Sequence, residues 1–164
     1  MIEHPIPPLF DGNSKILILG SFPSVKSRDE KFFYAHPQNR FWRVLAAVYG
    51  EDVPETVEDK KHLLLSHNIA LWDVIASCEI KGSSDSSIKN VVPNELSGVL
   101  ATTKIERIFV NGKTAEKYYK RYQEKRCGMS AILLPSTSPA NAAIGFDKLV
   151  SIWRGELLFD GEKI

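Results

Sequence analysis

The chain has 164 residues, 43% of them hydrophobic and 25% charged, with a formal net charge of +1, which is expected to form a single domain, 1–164, around one sizeable core. The near-neutral balance excludes a strongly basic, histone-like nucleic-acid binder and leaves only a local basic face open. No apolar run is long enough to span a bilayer, MIEHPIPPLFDG lacks a signal-peptide pattern, and Cys78 and Cys127 can hold no iron–sulfur cluster, so a cytoplasmic protein without membrane contact is expected.

The apolar run KILILG (15–20) ends at a glycine and reads as a buried strand. From Pro37 to Tyr49, Phe41, Trp42, Leu45, Ala46 and Val48 recur at helical spacing, and Gly50 ends the pattern. Thr56 and Asp59 resemble a capping box opening a helix through His67. NIALWDVI (68–75) reads as a second buried strand and KGSSDSSIKN (81–90) as a polar loop. Pro93 is expected to start a short helix. ERIFVNG (106–112) then reads as a strand, KTAEKYYKRYQEKRC (113–127) as a charged amphipathic helix, AILLP (131–135) as a strand and 146–159 as a closing helix. Nearly all-apolar strands alternating with helices predict an α/β protein: a three-layer α/β/α sandwich around a central, mainly parallel four-stranded sheet.

Open parallel sheets bind ligands beyond the carboxyl ends of their strands. Four segments are expected there: GSFPS (20–24), the loop 76–90, NGKT (111–114) and PSTSPANA (135–142). YAHPQNRFW (34–42) follows the first of these closely enough to reach the same edge. NGKT is not a nucleotide-phosphate loop, because the required glycine five positions before Gly112 is Arg107. The lysines and arginines of 113–126 are interrupted by Glu116 and Glu124 and read as a mainly solvated face. His36, His62 and His67 lack metal-ligand spacing, so neither metal nor cofactor is expected. GSFPS and PSTSPANA each mix small residues with proline after a buried strand, which would present backbone N–H groups at the sheet edge.

FFYAHPQNRFWRVL resembles the corresponding segment of the mismatch-specific uracil/thymine-DNA glycosylases. The wider series GSFPSVKS, FYAHPQNRFW, ALWDVIASCEIKGSSDSSIKN, FVNGKTA and LLPSTSPANA resembles the DNA-deoxyinosine (hypoxanthine-DNA) glycosylase branch of the uracil-DNA glycosylase superfamily. Relatives generally carry an acidic or amide residue at the third position of the first motif, where this chain has Phe22. The His or Asn that often opens their second motif is replaced by Ser136, and the intercalating leucine of many relatives by Ala140.

The resemblance to the deoxyinosine branch implies that Asn39 is the catalytic amide and that Tyr34 carries the flipped base on its ring. It also implies base contacts from Ser21, Phe22, Pro23 and Ser136. DNA contacts would come from Ser24, Lys113, Ser138, Pro139, Ala140 and Asn141. The expected activity is monofunctional excision of deaminated bases, hypoxanthine first, from double-stranded DNA, by a monomer. Two alternatives stay open: a uracil- or mismatch-specific enzyme of the same fold, and a non-catalytic DNA-binding relative.

Overall fold

The computed structural model of the protein describes residues 1–158. Four strands, β2 (Ile16–Gly20), β3 (Ile69–Asp73), β6 (Arg107–Asn111) and β7 (Ala131–Leu134), form a wholly parallel sheet in the order β3-β2-β6-β7. Alternation along β2 explains why this sheet needs covering on both sides. Ile16 and Ile18 face one core with helices α2 (Phe41–Tyr49), α3 (Val57–Ser66) and α7 (Phe146–Leu157). Leu17 and Leu19 face the other, with α4 (Ser97–Ala101) and α5 (Lys113–Tyr122). The expected closing helix ran to residue 159, which lies outside the described residues.

The sequence reading missed a second, antiparallel sheet of β1 (Ile2–Glu3), β4 (Ile75–Glu79) and β5 (Lys89–Pro93) in the order β1-β4-β5. NIALWDVI is therefore two strands in two sheets, divided at Val74. Buried polar side chains hold the division open. Asn94 Nδ2 donates to the carbonyls of Asp73 (2.9 Å) and Ile75 (3.1 Å), and Gln123 Nε2 donates to that of Val74 (3.3 Å). The Val74 carbonyl also accepts from the Asn94 amide at 2.9 Å; a buried carbonyl left unpaired would carry a desolvation penalty of about 1–3 kcal/mol.

Other boundaries differ for local reasons. Pro93 closes β5 instead of starting a helix; at a strand end its missing N–H costs little. The helix 113–127 breaks at buried Gln123 into α5 and α6 (Glu124–Cys127). The unexpected α1 (Val25–Glu30) starts where the Ser24 hydroxyl accepts from the Ser27 amide at 3.2 Å. Helix α2 begins at Phe41, four residues later than its spacing suggested, because Pro37 and Gln38 form a turn closed by the Asn39 amide on the His36 carbonyl at 2.9 Å. Among the described residues no helix is long and apolar enough to cross a membrane.

Candidate active site

In the parallel sheet the chain leaves β2 for β3 on one side, then crosses to β6 on the other. The carboxyl ends of β2 and β6 are thus a topological switch point. A cavity of about 470 Å³ opens there. Its wall takes Ser21, Phe22, Pro23 and Ser24 from the loop after β2, and Tyr34 and Asn39 from the turn before α2. Ser136, Ser138, Pro139 and Ala140 come from the loop after β7. Segments as far apart in the chain as Ser21 and Ala140 are thereby brought to one place.

Tyr34 has a left-handed backbone (φ 51°), an arrangement that strains a bulky residue by about 1–3 kcal/mol. Two contacts hold it. Its ring stacks on Phe41, and its hydroxyl oxygen accepts from Asn111 Nδ2 at 3.2 Å. Burial, and next the nearby Asp73 carboxylate, push its phenol well above the ordinary tyrosine range, outweighing the opposing bond from Asn111.

Asn39 Oδ1 accepts from the Phe41 amide at 3.0 Å, satisfying one of the unpaired donors at the start of α2. That bond engages only the oxygen of the side chain, and the residue lines the cavity. Arg40 joins the same turn to the loop after β7, donating to the carbonyls of Ile144 (2.8 Å) and Asn141 (3.2 Å). Trp42 Nε1 donates to the Phe33 carbonyl at 3.1 Å. The composition of YAHPQNRFW thus has a division of labour: Arg40, Phe41 and Trp42 fasten the turn, and Tyr34 and Asn39 face the cavity.

The loop after β7 consumes much of its own polarity. Ser138 N donates to Ser136 Oγ (3.1 Å), Ala140 N to Ser138 Oγ (3.2 Å) and Asn141 N to the Ser138 carbonyl (2.9 Å). Asn141 Nδ2 donates to the Ser136 carbonyl at 2.9 Å. Gly112, at φ 98°, lets the loop pass close by: a Cβ there would lie 3.0 Å from Ser136 Cβ. Lys113 and Asn141 do not line the first cavity. They border a second, of about 830 Å³, that shares Asp85, Ser86, Asn111, Ser136, Ser138 and Ala140 with it.

Several residues of the cavity were not singled out from the sequence, although Asn111 and Asp85 lie in segments expected at this edge. Asp73 and Asn111 end β3 and β6 there. Asn111 also binds Thr137, donating to its hydroxyl (3.0 Å) and accepting from its amide (3.1 Å). A polar residue closing an apolar strand was the available signal for both. Asp85, in the loop 81–90, accepts from Ser21 Oγ at 3.4 Å, and burial raises its carboxyl above the ordinary range despite bonds from Thr114 and Ser21. His4, from the N-terminal segment, donates to buried Asp73 from Nε2 across 2.7 Å. Among the described residues, no cluster of His, Cys, Asp and Glu could hold a metal ion.

Comparison with known proteins agrees with this architecture. The chain is 37% identical, over 86% of its length and 89% of the relative's, to a hypoxanthine DNA glycosylase of Methanosarcina acetivorans. A hypoxanthine DNA glycosylase of Methanosarcina barkeri is 32% identical over the same shares. The solution NMR structure of a candidate uracil DNA glycosylase from Methanosarcina acetivorans superposes with a TM-score of 0.79 at 33% identity, covering 96% of this chain and 99% of that one. Residues 7–154 match the family model of the uracil DNA glycosylase superfamily. With a parallel sheet, a switch-point cavity and matching motifs along nearly its whole length, the chain belongs to the uracil DNA glycosylase superfamily.

Proposed function

We propose that the protein is a monofunctional DNA glycosylase that removes deaminated bases, hypoxanthine first, from double-stranded DNA. The observation that carries the reading is the cavity shared by Tyr34 and Asn39, in a chain whose relatives at 37% and 32% identity are hypoxanthine DNA glycosylases. We further propose that it acts in the cytoplasm as a monomer.

The target nucleotide leaves the duplex stack at a cost of a few kcal/mol. Stacking on the Tyr34 ring offsets part of that cost, since base–aromatic stacking is worth about 1–3 kcal/mol. Ser21, Phe22, Pro23 and Ser136 border the extruded base. Ser24, Ser138, Pro139, Ala140 and, around the second cavity, Lys113 and Asn141 meet the DNA strand.

In the chemical step the bond from C1′ to the base nitrogen breaks, and its electron pair departs with the base. A water oxygen then bonds C1′, and the water's proton ends on the base. Positive charge builds on the sugar and negative charge on the base. The backbone amides of Ser21, Phe22 and Ser24, Pro23 having no N–H, and the Asn39 NH₂ group are the donors that would meet the negative charge. A neutral amide cannot act as an ordinary general base, so Asn39 orients water and substrate.

The test is single-turnover release from duplexes containing hypoxanthine, uracil or thymine. Hypoxanthine should be released fastest, leaving an uncut abasic strand. Preferred release of uracil or thymine would assign the second specificity, and release of none would leave a DNA-binding protein.

A further inference from the structure

His4 precedes the span matched by the family model, 7–154, yet its side chain is only 3% exposed and reaches the cavity wall. Pairing of β1 with β4 brings it there, together with a bond from its own amide to the Ala76 carbonyl at 2.8 Å. Its ring packs among Phe22, Phe33 and Trp72, edge-on to Phe22 at 5.9 Å. Phe22, which occupies the position where a polar group was expected, therefore shields His4.

The two ring nitrogens have different duties. Nδ1 accepts the Ile6 amide hydrogen at 3.1 Å, so the bonding pattern puts the ring hydrogen on Nε2, which donates to Asp73 Oδ2 at 2.7 Å. The other oxygen, Oδ1, stands at the end of β2, where only glycine leaves room. A Cβ on Gly20 would come within 2.4 Å of Asp73 Oδ1 and 2.9 Å of the Tyr34 hydroxyl. Asp73, buried at 4% exposure, lines the cavity beside Tyr34.

We propose that His4 is a positioning residue for base selection: by holding Asp73 Oδ2, it keeps Oδ1 as a fixed acceptor for the ring N–H that deamination creates. Adenine carries a lone pair at N1, and deamination to hypoxanthine replaces it with N1–H beside a carbonyl. Cytosine and uracil differ in the same way at N3. A carboxylate oxygen accepts that hydrogen and repels the lone pair, so the contact favours the deaminated base. The assignment rests on the glycosylase reading above and adds the basis of its selectivity.

The test compares single-turnover excision of hypoxanthine with that of unsubstituted purine, which has a lone pair at N1 and adds no bulk. In the Asp73→Asn variant, the His4 N–H should hold the amide oxygen and turn the NH₂ group toward the cavity. The hypoxanthine-to-purine rate ratio should then fall at least about tenfold from that of the parent protein. Adding His4→Leu frees the amide to rotate and should restore the ratio several-fold, which a merely structural histidine would not do. An unchanged ratio in Asp73→Asn, or one ratio common to the single and double variants, overturns the assignment. Thermal melts accompany each variant. If Asp73→Asn is unfolded at the assay temperature, His4→Leu alone decides: a lowered ratio supports the assignment and a retained one overturns it. Release of neither base by the parent protein overturns the glycosylase reading itself, and this assignment with it.

Discussion

Tyr34 and Phe41 lie face to face, with ring centroids 4.0 Å apart and planes 16° from parallel. Phe41 is fully buried in the core and Tyr34 is partly buried at the cavity, so the stack transmits the rigidity of the core to the ring proposed to carry the base. The Tyr34 hydroxyl contributes through Asn111, which keeps its Thr137 bonds without it.

Tyr34→Phe should therefore lower single-turnover excision only a few-fold, and Tyr34→Ala by about ten- to a hundred-fold, the worth of one stacked base. Equal losses would assign the role to the hydroxyl. The raised phenol also has a consequence for stability. Its neutral form favours the folded state fully below the unfolded value of about 10, and that contribution disappears as pH rises toward the folded value. Alkaline melts should fall less steeply for Tyr34→Phe than for the parent protein.

Asn39 has two separable functions. Its oxygen supports the start of α2, so Asn39→Ala should lose about 1 kcal/mol of stability together with at least about a hundred-fold in excision. Asn39→Asp keeps the oxygen and removes the NH₂ group. It should melt like the parent protein yet remain a poor enzyme; parent-like excision by either variant would remove Asn39 from the chemistry.

Asp85 is exposed overall but its carboxyl stands against Ser21, so it should be a small stability liability at neutral pH. Its carboxyl is raised by burial, so its favourable contribution is complete below the unfolded value of about 4 and is lost as pH rises through the folded value. Asp85→Asn should raise the melting temperature at pH 7, and the difference should shrink toward zero below about pH 4. Melts at the two pH values check the sign.

Strand cleavage should not accompany base release. None of the described residues lining the first cavity is a lysine, and Lys113 borders the second cavity instead. Borohydride should trap no covalent protein–DNA adduct; a trapped adduct would replace the monofunctional mechanism with an amine-based one.

Ala140 is exposed on the short turn Pro139–Asn141, where a methyl group cannot fill the space of an extruded nucleotide. The amides of Ser138, Ala140 and Asn141 are bonded within their own loop, so they offer DNA less than the sequence reading expected. Opening should then depend on how weak the pair already is. Hypoxanthine opposite thymine should be released faster than opposite cytosine, and Ala140→Leu should narrow the gap. Equal single-turnover rates for both pairs, unchanged in Ala140→Leu, would contradict this.

By itself the sequence determined the parallel sheet and its carboxyl edge. Apolar strand runs such as Ile16–Leu19 and the helical spacing of Phe41, Trp42, Leu45 and Val48 are local signals, set by periods of two and 3.6 residues. The order of the motifs likewise placed Tyr34 and Asn39 at that edge. Only the tertiary structure decided that a two-residue strand, too short to show a period, would carry His4 to Asp73, 69 positions away. It also decided that Asn94 and Gln123 would divide NIALWDVI between two sheets. These are hydrogen bonds between buried polar groups remote in the chain. Each is required because desolvated donors and acceptors need partners, but which partner is found depends on how the two sheets meet, and no local pattern of residues records that.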